Sequence, residues 1–266
     1  MLAQTATHAE SSRPAISTHR VSPVSDLAKQ NPLIEAMHMM GATMSFPSET
    51  EIFGEGEAAD YAYQVVSGGV RTYKILSDGR RQIGGFYLPG DVFGLEFRDE
   101  HTFSAEAITD TRVVVVMCSM LMTLAGRDPG ISRELLTLSG SELRHVQTRM
   151  LLLVKSAEER VAGFLLEMAE RASGGNVVEL PMTRRDIADY LGLTFETVSR
   201  TLRSLANKAA IEIATPRRIV LRNRSALRLL NAGVKVFALC RLLAANMITL
   251  EAILHRARII GSQLHR

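Results

Sequence analysis

MTRRDIADYLGLTFETVSRTLRSL, residues Met182 to Leu205, reads as a helix-turn-helix. Thr183 with Asp186 three residues later makes a capping-box start, in which a hydroxyl and a carboxylate satisfy backbone N–H groups that a helix end leaves unpaired. Ile187, Ala188 and Leu191 then form one apolar stripe at helical spacing, running up to Gly192, which breaks the helix. Thr194 is the next N-cap. In the second helix Val198, Leu202 and Leu205 share a buried side, and Glu196, Ser199, Arg200 and Arg203 are expected to face away. Two short helices joined by a tight glycine turn can lay a recognition helix in the major groove of double-stranded DNA. The plain alternative is a helical hairpin with a solvated charged face. The residue types favour the DNA reader, because arginine bonds bidentately to guanine, glutamate accepts from a cytosine amino group and serine meets either kind of base edge.

The charge is placed unevenly. The whole chain of 266 residues carries only +3, but residues 1–120 hold 9 Lys/Arg against 15 Asp/Glu, whereas residues 181–230 hold 10 against 4. A basic segment suits a phosphate backbone, since each neutralised phosphate releases condensed counterions. Thr183, Arg184, Thr194, Thr197 and Arg203 are the expected supporting contacts to phosphate around the base readers.

The length suits two domains, and 46% hydrophobic residues supply a core for both. No run of about 18 uncharged apolar residues appears, so no membrane span is expected. Residues 1–30, rich in Ser, Thr, Ala and Pro without periodicity, are expected to be disordered, and they lack the apolar core of an export signal. A cytoplasmic protein follows from these readings.

Residues 31–125 show short alternating runs punctuated by glycine. Candidate strands are Glu51 to Phe53, Ala62 to Val66, Val70 to Leu76, Arg81 to Tyr87 and Arg112 to Met117. Ser77-Asp78-Gly79 between two of them signals a hairpin, since Asp-Gly accepts the positive φ of a tight turn. The spacing predicts a small antiparallel barrel or jelly roll. Val113 to Val116 predicts a fully buried strand. A long helix is expected within residues 126–156, where Leu136, Leu143 and Met150 recur every seven residues, joined by Val146 and Leu153. That is a coiled-coil seam, read as a homodimer interface, with an internal core helix as the alternative. Residues 157–232 hold the reader: a helix from Ala157 to Ala172 with Val161, Phe164, Leu165 and Met168 on its apolar face, the motif at 183–202, and then a hairpin. The hairpin is a wing, Ile211 to Ala214 and Arg218 to Leu221, whose Arg217 and Arg218 are expected at phosphates.

This order of parts resembles the Crp/Fnr family of transcription regulators. The resemblance rests on SAEERVAGFLLEMAER (Ser156 to Arg171), TRRDIADYLGLTFETVSRTL (Thr183 to Leu202) and LPGDVFGLE (Leu88 to Glu96), and covers about Asn31 to Ala232. Within the family the FixK-type regulators are most similar, sharing the E-x-x-S-R pattern of the Fnr branch, here Glu196, Ser199 and Arg200. The resemblance implies an α+β architecture: a cyclic-nucleotide-binding-like sensor barrel, a dimerisation helix and a C-terminal winged helix-turn-helix. It implies recognition of an inverted repeat of the form TTGAT, spacer, ATCAA, with Arg200 at the guanine, Ser199 at the neighbouring thymine and Glu196 on the opposite strand. It further implies an activator of microaerobic and nitrogen-fixation genes that works with RNA polymerase.

The sensor departs from other members. An iron–sulfur cluster needs several clustered thiolates, but only Cys118 and Cys240 are present, far apart, and both read as buried structural thiols. A cyclic-nucleotide site in this family uses a glycine–glutamate loop and then an arginine–serine pair. Gly94-Leu95-Glu96 keeps part of the loop, but Phe103 precedes Ser104 where the arginine belongs. A phenyl ring cannot neutralise a phosphate, so no cyclic nucleotide is expected. The seven histidines, at 8, 19, 38, 101, 145, 255 and 265, form no cluster, and only His38 and His101 fall near the barrel, where a loop histidine reads as a polar surface residue. No GxSxG, phosphate loop or HExxH occurs.

No cofactor, no metal and no enzymatic activity are therefore expected. The alternatives are a regulator gated by an unidentified effector and, further off, a barrel enzyme with a regulatory winged helix. Residues 233–266 form an extension with 5 Lys/Arg against 1 Asp/Glu, where Val236, Leu239, Leu243, Met247, Leu250 and Leu254 have amphipathic-helix spacing.

Overall fold

The computed structural model describes residues 31–96, 99–152, 154–172 and 175–233. The leader 1–30, most of the extension 233–266, Leu153 and Cys240 lie outside the described residues.

Helix α1 (Pro32–Met40) opens the chain, capped by Asn31, whose side-chain oxygen accepts from the Leu33 and Ile34 N–H groups. Eight strands follow: β1 (Ala42–Phe46), β2 (Glu51–Phe53), β3 (Tyr61–Ser67), β4 (Val70–Ile75), β5 (Arg81–Tyr87), β6 (Val92–Phe93), β7 (Ser104–Ala107) and β8 (Thr111–Met117). They form two antiparallel four-stranded sheets, ordered β1-β8-β3-β6 and β2-β7-β4-β5. A jelly-roll sandwich results.

The valine run of β8 shows why the sandwich closes. Successive strand residues point to opposite faces. Val113 enters the core between the sheets with Phe53, Tyr63, Val65, Val70, Phe93 and Ala105. Val114 and Val116 point the other way, into a second core with Leu33 and Met37 of α1, Leu121 of α2 (Cys118–Ala125) and Ile131 and Leu135 of α3 (Pro129–Leu152). Both faces of β8 are covered, which is why four valines suit it; only Val115 is partly exposed. Helices α1 and α2 were not predicted from the sequence. Their apolar faces are short and recur among the methionines and leucines of a segment read as strands.

After α3 come α4 (Ala157–Arg171), β9 (Val177–Glu179), α5 (Arg184–Leu191), α6 (Phe195–Asn207), β10 (Ile211–Thr215), β11 (Arg218–Leu221) and α7 (Arg224–Asn231). The expected two-stranded wing is three-stranded, ordered β10-β11-β9, because Val177 to Glu179 pairs with β11. Three residues were too few for a pattern to find. Val161, Phe164, Leu165 and Met168 of α4 are buried as the periodicity predicted. The core they join holds Val198, Leu202 and Leu205 of α6, and it extends to Ile83 and Phe86 of β5. The reader thus packs directly on the second sheet.

Candidate nucleic-acid interface

Thr183 and Asp186 make a complete capping box at α5: the threonine hydroxyl accepts from the Asp186 N–H, and the carboxylate accepts from the Thr183 N–H at 2.9 Å. Gly192 ends the helix at φ +63°, a left-handed conformation that costs glycine nothing and a side-chain-bearing residue about 1–2 kcal/mol. Two residues on, Thr194 caps α6 by accepting from the Thr197 N–H at 3.1 Å. The turn therefore has no slack, and α6 leaves it at an angle set by the packing of Val198, Leu202 and Leu205.

Glu196, Arg200 and Arg203 are exposed on α6, as the periodicity predicted. Ser199 is not. It is only 7% exposed, and its hydroxyl has no hydrogen-bond partner, so the expectation that Ser199 faces outward is corrected: its position on the helix turns it toward the interior beside Val198 and Leu202. Of the supporting residues, Thr183, Thr194, Arg217 and Arg218 are exposed, and Thr197 and Arg184 are half-buried. Arg218 pairs with Glu179 at 3.3 Å across the wing. At the far end of α6, Lys208 donates to Glu158 of α4 at 2.7 Å, and this contact and Ser204 hold the Glu158 carboxyl below the usual range.

The seam residues of α3 stand in solvent. Leu136 is 74% exposed, Leu143 60%, Val146 53% and Met150 67%, an apolar row at heptad spacing that an internal core helix would have covered.

The cassette that holds a cyclic phosphate in cyclic-nucleotide sensors is closed on itself here. Gly94, at φ +76°, lets the backbone approach Tyr63 so closely that an added Cβ would lie 2.8 Å from the ring. The Glu96 carboxylate accepts from the Thr102 N–H at 3.0 Å and from the Thr102 hydroxyl at 2.5 Å. Ser104 Oγ accepts from the Glu55 N–H at 2.9 Å. Phe103 lies over β5, where a Cβ on Gly84 would meet its ring at 2.9 Å. Where a clamping arginine would meet a cyclic phosphate the apolar ring of Phe103 stands, and it does not fit that anion.

His101 corrects the surface reading. Its ring is buried and stacked on Phe53 with centroids 3.6 Å apart. Among the described residues no three His, Cys, Asp or Glu side chains gather as a metal site, and no helix is long and apolar enough to cross a membrane. Cys118 is half-buried, and burial pushes its thiol up, away from the reactive thiolate.

One set of residues escaped the sequence reading altogether. Arg71 of β4 is 4% exposed and donates to Glu49 at 2.6 Å and Glu106 at 2.8 Å, while its other nitrogen lies 3.4 Å from Asp186 of α5. Arg81 of β5 bonds Asp186 at 2.6 Å and Asp189 at 2.9 Å. Both arginines lie more than 100 residues from their α5 partners, so no local pattern could pair them.

The comparisons with known proteins agree with this arrangement. A Crp-like helix-turn-helix domain matches residues 159–230, and a cyclic nucleotide-binding domain matches residues 43–125. The chain is 47% identical over 199 residues to the nitrogen fixation regulation protein FixK of Azorhizobium caulinodans, covering 73% of this chain and 80% of that one. It is 41% identical to FixK of Rhizobium meliloti over 203 residues, covering 73% of this chain and 93% of the relative. The solved structure of FixK2 from Bradyrhizobium japonicum superposes with a TM-score of 0.69 at 52% identity, over 72% of this chain and 98% of that one. With its jelly-roll sensor and capped C-terminal helix-turn-helix, the chain belongs to the Crp/Fnr family of transcription regulators, among its FixK-type members.

Proposed function

We propose that the protein is a cytoplasmic, homodimeric transcription activator that reads an inverted repeat of the TTGAT, spacer, ATCAA form without a bound effector. In this reading residues 31–125 are the sensor, 126–156 the dimerisation helix and 157–232 the reader, and RNA polymerase is the partner at the promoter. The observation that carries it is the row of exposed, polar Glu196, Arg200 and Arg203 on a helix capped and packed by its other side. Arg200 reads guanine bidentately, Glu196 accepts from a base amino group, and Thr183, Arg184, Thr194, Thr197, Arg203, Arg217 and Arg218 meet phosphates. The cassette's misfit to a phosphate supports a sensor that works without a cyclic nucleotide. The FixK relatives carry nitrogen-fixation regulation in their names, which supports microaerobic and nitrogen-fixation genes as targets.

Mobility-shift assays on protein purified in air and stripped of metal test this reading: specific binding is expected unaided. Binding that appears only after iron–sulfur reconstitution or added cyclic nucleotide would overturn it. The exposed apolar row of α3 supports the dimer, since two copies burying it exclude water as a single chain does not. Leu143→Glu should dissociate the dimer in sedimentation experiments, because like charges would then face each other across the seam.

A further inference from the structure

We propose that Arg71 and Arg81 are positioning residues for DNA recognition: from the sensor's second sheet they hold α5, so that α6 is presented in one orientation with no ligand bound. The proposal rests on the effector-free reading above and supplies what that reading lacks, a device that orients the reader.

The clamp is placed for this task. Two guanidinium groups face four carboxylates, Glu49 and Glu106 from the sensor side and Asp186 and Asp189 from α5. Asp186 is buried and committed twice, to the arginines and to the Thr183 cap, so the ion network is continuous with the start of the helix-turn-helix. Asp186 and Asp189 lie three residues apart and so on one side of α5, which fixes the helix about its own axis as well as in place.

Strand β5 adds further ties. The Gln82 side-chain amide donates to the Asp189 carbonyl at 2.8 Å, Arg149 of α3 donates to the Ile83 carbonyl at 2.9 Å, and Arg171 of α4 donates to the Phe86 carbonyl at 2.8 Å. Phe86 also contacts the rings of Phe164 and Tyr190. Helices α3, α4 and α5 are all referred to one strand.

None of these contacts touches Glu196, Arg200 or Arg203, which stay exposed. The clamp grips the back of the reader and leaves its reading face open, so it orients rather than blocks. A different orientation would part Asp186 from both arginines and leave Arg71 with its sensor-side partners Glu49 and Glu106 alone, and so the network favours one arrangement even though its net stabilisation is small. Guanidinium geometry makes the selection angular as well as electrostatic.

The test uses the full-length protein purified in air, comparing the wild type with Arg81→Gln, Arg81→Lys, Asp189→Asn and the double variant Arg81→Gln/Asp189→Asn. Arg81 is chosen because it is partly exposed, so its loss leaves the fold intact in a way that loss of Arg71 does not guarantee. Operator affinity by fluorescence anisotropy is measured against salt, with melting curves beside it. Arg81→Gln is expected to weaken operator binding by roughly 5- to 150-fold, the span of ordinary coupling between sites. The salt dependence should keep its slope, because no phosphate contact is lost. Arg81→Lys should recover part of the loss, and the double variant should be no weaker than the weaker single one.

Unchanged or tighter binding by Arg81→Gln in folded protein would overturn the proposal, and a slope reduced by about one would overturn it too, by placing Arg81 on the DNA. The wild-type arm decides the underlying reading separately: failure to bind unaided sinks the effector-free regulator, and the ligand-free clamp with it. Wild-type binding with unaffected variants sinks the clamp alone.

Discussion

Helix α5 turns its acids, Asp186 and Asp189, inward onto arginines of the sensor sheet, whereas α6 turns Arg200 and Arg203 outward into solvent. The two helices are joined by Gly192, Leu193 and the capping Thr194 alone, and both are amphipathic. The inward charges have already found their partners within the chain, and desolvation makes them specify one geometry. Exposed side chains on α6 retain their hydration and their freedom, and are available to a ligand that brings its own charge. A charge that folding has buried reports on orientation; a charge left exposed on an otherwise well-packed helix reports on recognition.

The largest expected effect breaks the inward set. Asp186→Ala removes the shared partner of Arg71 and Arg81 together with the α5 cap, and stability should fall by about 3–5 kcal/mol, as for other broken buried pairs. Urea unfolding of the variant and the wild type measures it, and a loss below about 1 kcal/mol would mean the network is decorative.

Substitution in the outward set should separate function from stability. Arg200→Ala should leave the melting curve unchanged while costing about 1–3 kcal/mol of base discrimination. Binding-site selection reads this directly: if the variant still returns the same guanine in each half-site, Arg200 is not the reader.

The smallest effect sharpens the comparison at the far end of α6. Lys208 holds the Glu158 carboxyl below its ordinary value of 4.5, so the pair's stabilisation is present above that pH and is lost as pH falls through the lowered value. Both groups are partly exposed, and the contribution should be about 0.5 kcal/mol or less. Lys208→Met and the wild type should therefore differ slightly in melting temperature at neutral pH and converge in acid.

Much of the reader was legible because its signals are local. A cap needs a hydroxyl or carboxylate within three residues of the N–H it serves, as at Thr183 and Thr194, and a helix end needs one glycine, as at Gly192. The valine run announced a buried strand, since both faces of β8 are covered. The cassette could be read in the same way, because a phenylalanine at 103 cannot supply the charge of a phosphate-clamping arginine.

Other features needed the fold. Ser199 was assigned outward because an ideal helical wheel allots it a boundary position, and only the packing of α6 decides on which side of the boundary it falls. His101 looked like a loop residue until Phe53, distant in sequence, supplied a ring to stack on. Strand β9 exists because β11 offers it partners, not because three residues favour extension.

By itself, then, the amino-acid sequence determined the helix-turn-helix, its caps and turn, the exposed arginines, the apolar seam of α3 and the absence of a phosphate-clamping arginine at 103. Each of these depends on residue type and on spacings of a few positions, where backbone geometry alone dictates the outcome. Only the tertiary structure decided that Arg71 and Arg81 meet Asp186 and Asp189, that Ser199 is withdrawn from the surface and that the reader rests on β5. Those depend on which distant surfaces come together, and burial, by removing water, turns weak charges and small side chains into the groups that set orientation.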